Sequence, residues 1–243
     1  MLVKPIELSK YWKIAPLGVL HVGAHIGEEK TLYDEANWGP IVWVEAQPDL
    51  ADSLSQQLIN TSDQVICATI WDKNGVNLKL NISSNSGSSS LLEFGTHKNS
   101  YPQISFTKEI DVVTKRLDSI LNKGNIPDFL NLDIQGVELQ ALRSLGELIS
   151  ELRFVYIEIN TKEVYKGCTK LKDLDAYLEN NGFKRIVTRR YLRHGWGEAL
   201  YVRKAQRSIN PMLTFARTSN AINFYIPQIR NFLRHLMKGT LNG

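Results

Sequence analysis

A doubly wound α/β fold with a seven-stranded, mostly parallel sheet is predicted by three features of this 243-residue chain. An apolar strand at 17–22 runs into the turn Gly23-Ala24-His25-Ile26-Gly27, which opens a helix. A second apolar run at 41–44 ends on a carboxylate, Glu45. A third, Phe129-Leu130-Asn131-Leu132, ends on Asp133, with Gly136 and Glu138 opening the next helix. Units of this kind build open parallel sheets, which bind ligands at the carboxyl ends of their strands.

The remaining elements follow in order. A short amphipathic helix is expected at 6–12. After the first strand comes a helix at 28–36. The second strand leads to a helix from Pro48 to about residue 58, with proline in its favoured first turn. A third strand spans 64–70. The turn Asp72-Lys73-Asn74-Gly75 then leads into 76–82, where apolar and polar residues alternate, and the pair reads as a hairpin. Residues 83–90 form a serine-rich loop inside the domain, a place where binding loops often lie. Another β-rich segment covers 104–113, and a short helix 116–121. The strand at 129–133 is followed by an amphipathic helix at 136–148, in which Leu139, Leu142 and Leu145 recur at core spacing. A strand at 153–159, a helix at 171–180 stopped by Gly182, and an antiparallel pair at 183–192 and 198–202 complete the sheet. The expected division is a helical segment at 1–16, the α/β domain at 17–204 and a tail at 205–243.

Composition narrows the function classes. The chain carries 29 basic and 25 acidic side chains, a net charge of +4. Residues 199–243 hold seven Lys and Arg and no Asp or Glu, so the first 198 residues sum to −3. A mildly acidic body argues against a nucleic-acid site spread over it. Apolar residues make up 43%, enough for a full core. Cys67 and Cys168 have neither metal-ligand spacing nor a disulfide framework, which fits a reducing compartment. The first 16 residues have no apolar run of signal-peptide length, and no segment reaches the roughly 18 apolar residues of a membrane span. A cytoplasmic location is the expectation.

The glycine turn points to a ligand with an adenosine-like end. Gly23 and Gly27 let backbone approach it, and Glu45 can accept both ribose hydroxyls. A dinucleotide fingerprint needs glycine at its first, third and sixth positions. Counted from Gly23, these positions hold Gly23, His25 and Glu28. His25 stands where a pyrophosphate needs bare backbone, and Glu28 and Glu29 would repel a phosphate. A phosphate-free cofactor fits, and S-adenosylmethionine (SAM) is the common one. An ordinary strand-turn-helix unit shares the same glycines, so other motifs must decide.

They do so around Asp133. A second carboxylate, Glu158, ends the next strand in Val155-Tyr156-Ile157-Glu158. Either acid alone reads as a buried, hydrogen-bonded group. Two acids at adjacent strand tips crowd each other, which raises one pKa and can create a base. At this point the chain resembles the FkbM family of SAM-dependent methyltransferases. The matching pieces are Val22-Gly23-Ala24-His25-Ile26-Gly27, Val44-Glu45-Ala46-Gln47-Pro48, Asp72-Lys73-Asn74-Gly75, Arg116-Leu117-Asp118-Ser119-Ile120, Asp133-Ile134-Gln135-Gly136-Val137-Glu138 and Gly182-Phe183. They agree in order and spacing over roughly residues 17–203. The resemblance implies a class I methyltransferase fold and O-methylation of hydroxyls on sugars or polyketide-type products. Two positions depart from the family: an acid is usual where His21 stands, and Asn is frequent where His25 stands. His21 serves the methionine ammonium of SAM less well than an acid would.

The cofactor-binding candidates are therefore His21, Gly23, Ala24, Gly27 and Glu45, with Asp72 for the adenine amino group. The candidate bases are Asp133, Glu158 and His97, the last on a predicted loop that can reach over the site. No His/Asp cluster with ligand spacing points to a metal. The acceptor is expected to be a glycan or small molecule, read by loops at 83–102 and 162–170. Two other classes compete: a methyltransferase on nucleic acid or protein, and a non-catalytic protein that kept the fold. The first commonly carries an Asn/Asp-Pro-Pro-aromatic motif where this chain has Asp133-Ile134-Gln135-Gly136. In the tail, Phe224, Ile226, Ile229, Phe232, Leu233 and Leu236 approximate one helical face beside Arg230, Arg234 and Lys238. Such a helix docks on the body or a second subunit, or lies on anionic lipid.

Overall fold

A computed structural model describes residues 1–204. The helix expected in the tail lies outside the described residues. Helix α1 (Pro5–Trp12) precedes strand β1 (Val19–Val22) and helix α2 (Lys30–Glu35). Then come β2 (Ile41–Glu45), α3 (Pro48–Gln57), β3 (Gln64–Cys67), β4 (Thr69–Ile70) and β5 (Asn77–Ser83). A single turn, α4 (His97–Ser100), leads to β6 (Phe106–Lys115), β7 (Phe129–Leu132) and α5 (Glu138–Ser144). The chain continues through β8 (Phe154–Asn160), α6 (Leu171–Asn180), β9 (Phe183–Tyr191) and β10 (Trp196–Arg203).

The main sheet has seven strands in the order β3-β2-β1-β7-β8-β10-β9. Val19 pairs in parallel with Ile41 on one side and Phe129 on the other, so the strand order reverses at β1. That reversal opens a crevice at the carboxyl ends of β1 and β7. The central strands are buried along their whole length, as continuous apolar runs in a doubly covered parallel sheet must be. One face (Leu20, Leu130, Val155, Ile157) packs on Leu142 and Leu145 of the α5 region and on Leu174 of α6. The other face is aromatic: His21 stacks on Trp43, and Trp38 packs between Tyr33 and Phe129. Leu8 and Trp12 of α1 are buried, so the N-terminal segment belongs to the core.

Three local expectations are corrected. The segment at 64–70 is not one strand: it splits at Ala68, whose N–H donates to the Glu45 carbonyl. β3 then pairs with β2, while β4 joins a second sheet of order β4-β6-β5. The partner of β5 is therefore β6 (Asn77 opposite Val113) rather than the strand just before it. Thr114 makes this possible, because its backbone oxygen and hydroxyl receive the N–H groups of Gly75 and Val76. The helix expected at 136–148 is regular only over α5, because Gly146 adopts φ +53°, a left-handed conformation that ends a helix.

Candidate active site

The crevice begins at the glycine turn. Gly23 and Ala24 both donate to the Val44 carbonyl, at 2.9 and 3.1 Å, and Asp133 N–H donates to Val22 at 3.0 Å. Gly23 has φ +91°, and a Cβ there would lie 1.8 Å from the Asp133 carbonyl oxygen. Only glycine allows the turn and the end of β7 to touch. Gly27 (φ +75°) would meet a Leu54 methyl of α3 at 2.6 Å. His25 is itself left-handed (φ 50°). Its N–H donates to Glu45 at 2.7 Å, and its ring is hydrogen-bonded to Glu28 (2.7 Å) and to the Ser86 hydroxyl (2.6 Å).

Glu45 ends β2 with its carboxylate in the crevice. One oxygen accepts His25 N–H and the other Gln47 N–H (2.9 Å), which leaves a lone pair on each. Burial raises its pKa. Gly23, Glu45, Ile70, Leu80, Ser86 and Ser90 line a cavity of about 610 Å³, open mouth included. Among the described residues, the lining contains no Lys or Arg. A cavity with a carboxylate at a strand tip, an apolar slot and no phosphate counter-charge suits an adenosine end with no phosphate, so the residues present fit SAM.

A second cavity of about 940 Å³ adjoins the first and shares Gly87, Asp133 and Gln135 with it. Glu158, His97, Tyr101 and Trp196 complete much of its wall. Gln135, left-handed at φ 57°, ties the acids together. Its amide nitrogen donates to Asp133 (2.5 Å) and Glu158 (2.7 Å), and its oxygen accepts from Tyr165 (2.6 Å). Glu158 is held far above the usual carboxylate range by burial, then by the charge of Asp133 and a hydrogen bond with it. Both effects favour the protonated form of Glu158. Glu138 is fully buried and is pushed up to about 7 by that burial. One of its oxygens accepts Gly136 N–H at 2.7 Å, while the other has no partner.

Of the residues named from sequence, Gly23, Glu45, Asp133, Glu158 and His97 line the two cavities. Ala24 is fully buried and shapes the turn through its backbone, and Gly27 does so from the α3 side. His21 lines neither cavity: its ring is buried against Trp43 and held by Tyr33 (3.2 Å) and Asn131 (3.3 Å). Burial lowers its pKa, which suits a neutral core histidine. Asp72 is also outside the lining, because its carbonyl accepts Arg116 at 2.7 Å and fixes the turn to the start of the 117–119 segment. His97 opens α4 rather than swinging on a free loop. It stacks on Phe94 at 4.4 Å, and its buried Nδ1 has no partner. Gln135, Tyr165, His25 and Trp196 did not stand out as site residues in the sequence. A polar residue beside two strand-tip acids was the only hint of Gln135. Glu198 was missed too: it faces Glu158 across β10 and accepts the Tyr156 hydroxyl.

The sheet order, the glycine turn against β7 and the paired cavities define a class I methyltransferase, the class whose cofactor is SAM. Residues 21–185 match the methyltransferase FkbM domain, and the chain belongs to that family. One relative is the 2-O-methyltransferase NoeI of Sinorhizobium fredii (strain NBRC 101917 / NGR234), 29% identical over 87 residues. That match covers 35% of this chain and 36% of NoeI, so the chain aligns with about a third of that relative's length. Among solved structures, magnesium protoporphyrin IX methyltransferase (ChlM) from Synechocystis PCC 6803 with bound SAM is 15% identical at a TM-score of 0.42, covering 77% of this chain and 70% of that one. An NADB-Rossmann superfamily protein from Streptococcus agalactiae is 12% identical at a TM-score of 0.49, covering 98% and 85%. No helix among the described residues is long and apolar enough to cross a membrane.

Proposed function

We propose that the chain is a SAM-dependent O-methyltransferase that modifies a hydroxyl of a sugar or glycan. The observation that carries this reading is the junction of the two cavities at Asp133. The cavity that holds the Glu45 carboxylate and a larger cavity lined by polar and aromatic residues meet at one carboxylate there. The relative named as a 2-O-methyltransferase supports oxygen as the acceptor atom. The −3 charge of the first 198 residues favours a glycan over a nucleic acid.

Bound SAM supplies an electrophilic methyl group. The chain's task is to align the acceptor with it, keep water out and take a proton. Held by Gly23 and Glu45, SAM would supply that methyl group to the acceptor oxygen and would leave as S-adenosylhomocysteine. The hydroxyl proton passes to the Asp133 carboxylate. Burial and the charge of Asp133 favour the protonated form of Glu158, so Asp133 is assigned as the acceptor of that proton. The role of Glu158 is to orient Asp133 through Gln135, whose amide nitrogen donates to both acids. His97 is kept neutral by burial and borders the same cavity, where it can hold an acceptor hydroxyl.

The test is transfer of radiolabelled methyl from SAM to nucleotide sugars, free glycans and lipid-linked glycans. Label on a sugar oxygen is expected. Asp133→Asn keeps the shape and removes the base, so turnover falls about 10²–10⁴-fold while S-adenosylhomocysteine still binds. A wild-type rate in that variant moves the base to Glu158 or His97.

A further inference from the structure

The acceptor cavity has an unusual wall. Besides the acids, it is lined by the rings of His97, Tyr101 and Trp196. The His97 and Tyr101 rings are 5.1 Å apart, and Trp196 Nε1–H donates to the Tyr101 hydroxyl at 3.3 Å. Tyr101 also stacks on His194 at 5.3 Å and 17°. The aromatic surface does not stop at the cavity. Trp196 is paired with Tyr191 across the β9–β10 hairpin, and their rings are 4.8 Å apart. Tyr191 is 39% exposed and is followed by Leu192 at 52%. A single exposed tyrosine means little. Here it continues a wall that starts beside Asp133.

A cavity lined by tilted aromatic rings together with carboxyl and amide groups matches one kind of molecule well. A pyranose ring has an apolar C–H face that lies on an aromatic face, and hydroxyls around its rim for polar groups opposite. Phe, Tyr and Trp provide such contact area at little entropic cost because their side chains are stiff. Trp196 borders the reacting cavity and Tyr191 stands outside it, so a chain that starts at Asp133 and leaves along the hairpin crosses both rings.

Building on the sugar-acceptor reading, we propose that Trp196 and Tyr191 form a sugar-stacking subsite for the second ring of an oligosaccharide, whose terminal ring lies in the cavity at Asp133. The acceptor is then a glycan of at least two rings, not a free monosaccharide. The β9–β10 hairpin selects for length.

The experiment uses the full chain and a series of mono-, di- and trisaccharides ending in fucose, rhamnose, galactose, glucose or N-acetylglucosamine, with radiolabelled SAM as donor. For the best terminal sugar, kcat/KM is expected to rise about tenfold from one ring to two, mostly through KM, as one aromatic contact provides. Tyr191→Ala and Tyr191→Leu both abolish that length gain, and Tyr191→Phe keeps it. The leucine variant retains apolar bulk, so its loss isolates the aromatic face; affinity for S-adenosylhomocysteine reports that each variant is folded. Equal kcat/KM for one and two rings overturns the subsite and leaves the sugar reading intact, as does a length gain that survives in folded Tyr191→Leu. Methylation of flat phenols with none on any sugar overturns both.

Discussion

Single residues carry most of the cofactor site. Glu45 gives one lone pair of each oxygen to the backbone N–H groups of His25 and Gln47 and keeps the others for a ligand. Glu45→Ala removes two ligand bonds at about 1–2 kcal/mol each, so SAM affinity should fall by about 2–4 kcal/mol in calorimetry. Unchanged affinity in the folded variant would remove Glu45 from the cofactor site. Gly23, Glu45 and Asp133 were legible in the sequence because each is announced locally, by a strand that ends in a turn or on an acid. Gln135 was not. Its function depends on a left-handed backbone that turns its amide back toward Asp133 and across to a neighbouring strand, and no periodicity encodes that. His21 shows the converse: the motif position is recognisable, but the packing of Trp43, Tyr33 and Asn131 decides that the ring is core.

At the scale of elements, the loop at 83–90 becomes part of two walls. Ser86, Ser89 and Ser90 face the cofactor cavity, Asn85 and Ser88 the acceptor cavity. It is pinned by the His25–Ser86 bond and by Ser90 donating to the Gln135 carbonyl at 2.7 Å. Ser86→Ala removes one pin of about 1 kcal/mol, so amide exchange across 84–89 should quicken about fivefold while the sheet is unaffected. Unaltered exchange would mean that the Ser90 and Ser83 bonds suffice. The alternation in β5 was readable, yet its partner β6 lies some thirty residues on. Local turn chemistry suggested the nearer strand, and the Thr114 contacts overrode it. The seven-stranded, mostly parallel sheet was legible because buried strands and their helices alternate along the chain. The 3-10 segment Gly146–Glu151 after α5 was not, because the leucine spacing continues past Gly146 to Leu148.

The whole molecule inherits a pH dependence from its buried acids. Glu138 is pushed from 4.5 to about 7 by burial, with Asp133 adding to the shift. Between those values the native state holds a proton that the unfolded chain releases, so stability falls as pH rises from 4.5 through 7. The contribution is fully present below about 4.5 and gone above about 7, on the order of 3 kcal/mol at 1.36 kcal/mol per unit. Glu138→Gln keeps the Gly136 bond and removes the titration. Its melting temperature should exceed that of the wild type at pH 8, and the gap should close near pH 5. A constant gap would assign the dependence to Glu158, which is raised by burial in the same direction.

Gly87 borders both cavities, and a Cβ there would meet nothing closer than the Asn85 amide oxygen at 3.8 Å. The fold would therefore tolerate a side chain at this point without strain. What a side chain would cost is proximity. On the proposed reading one cavity seats the donor and the other the acceptor, and the reaction needs its two partners close enough for a methyl group to change owners without either leaving its seat. Bare backbone at Gly87, where the two linings overlap, would then serve the distance between two molecules rather than the shape of one.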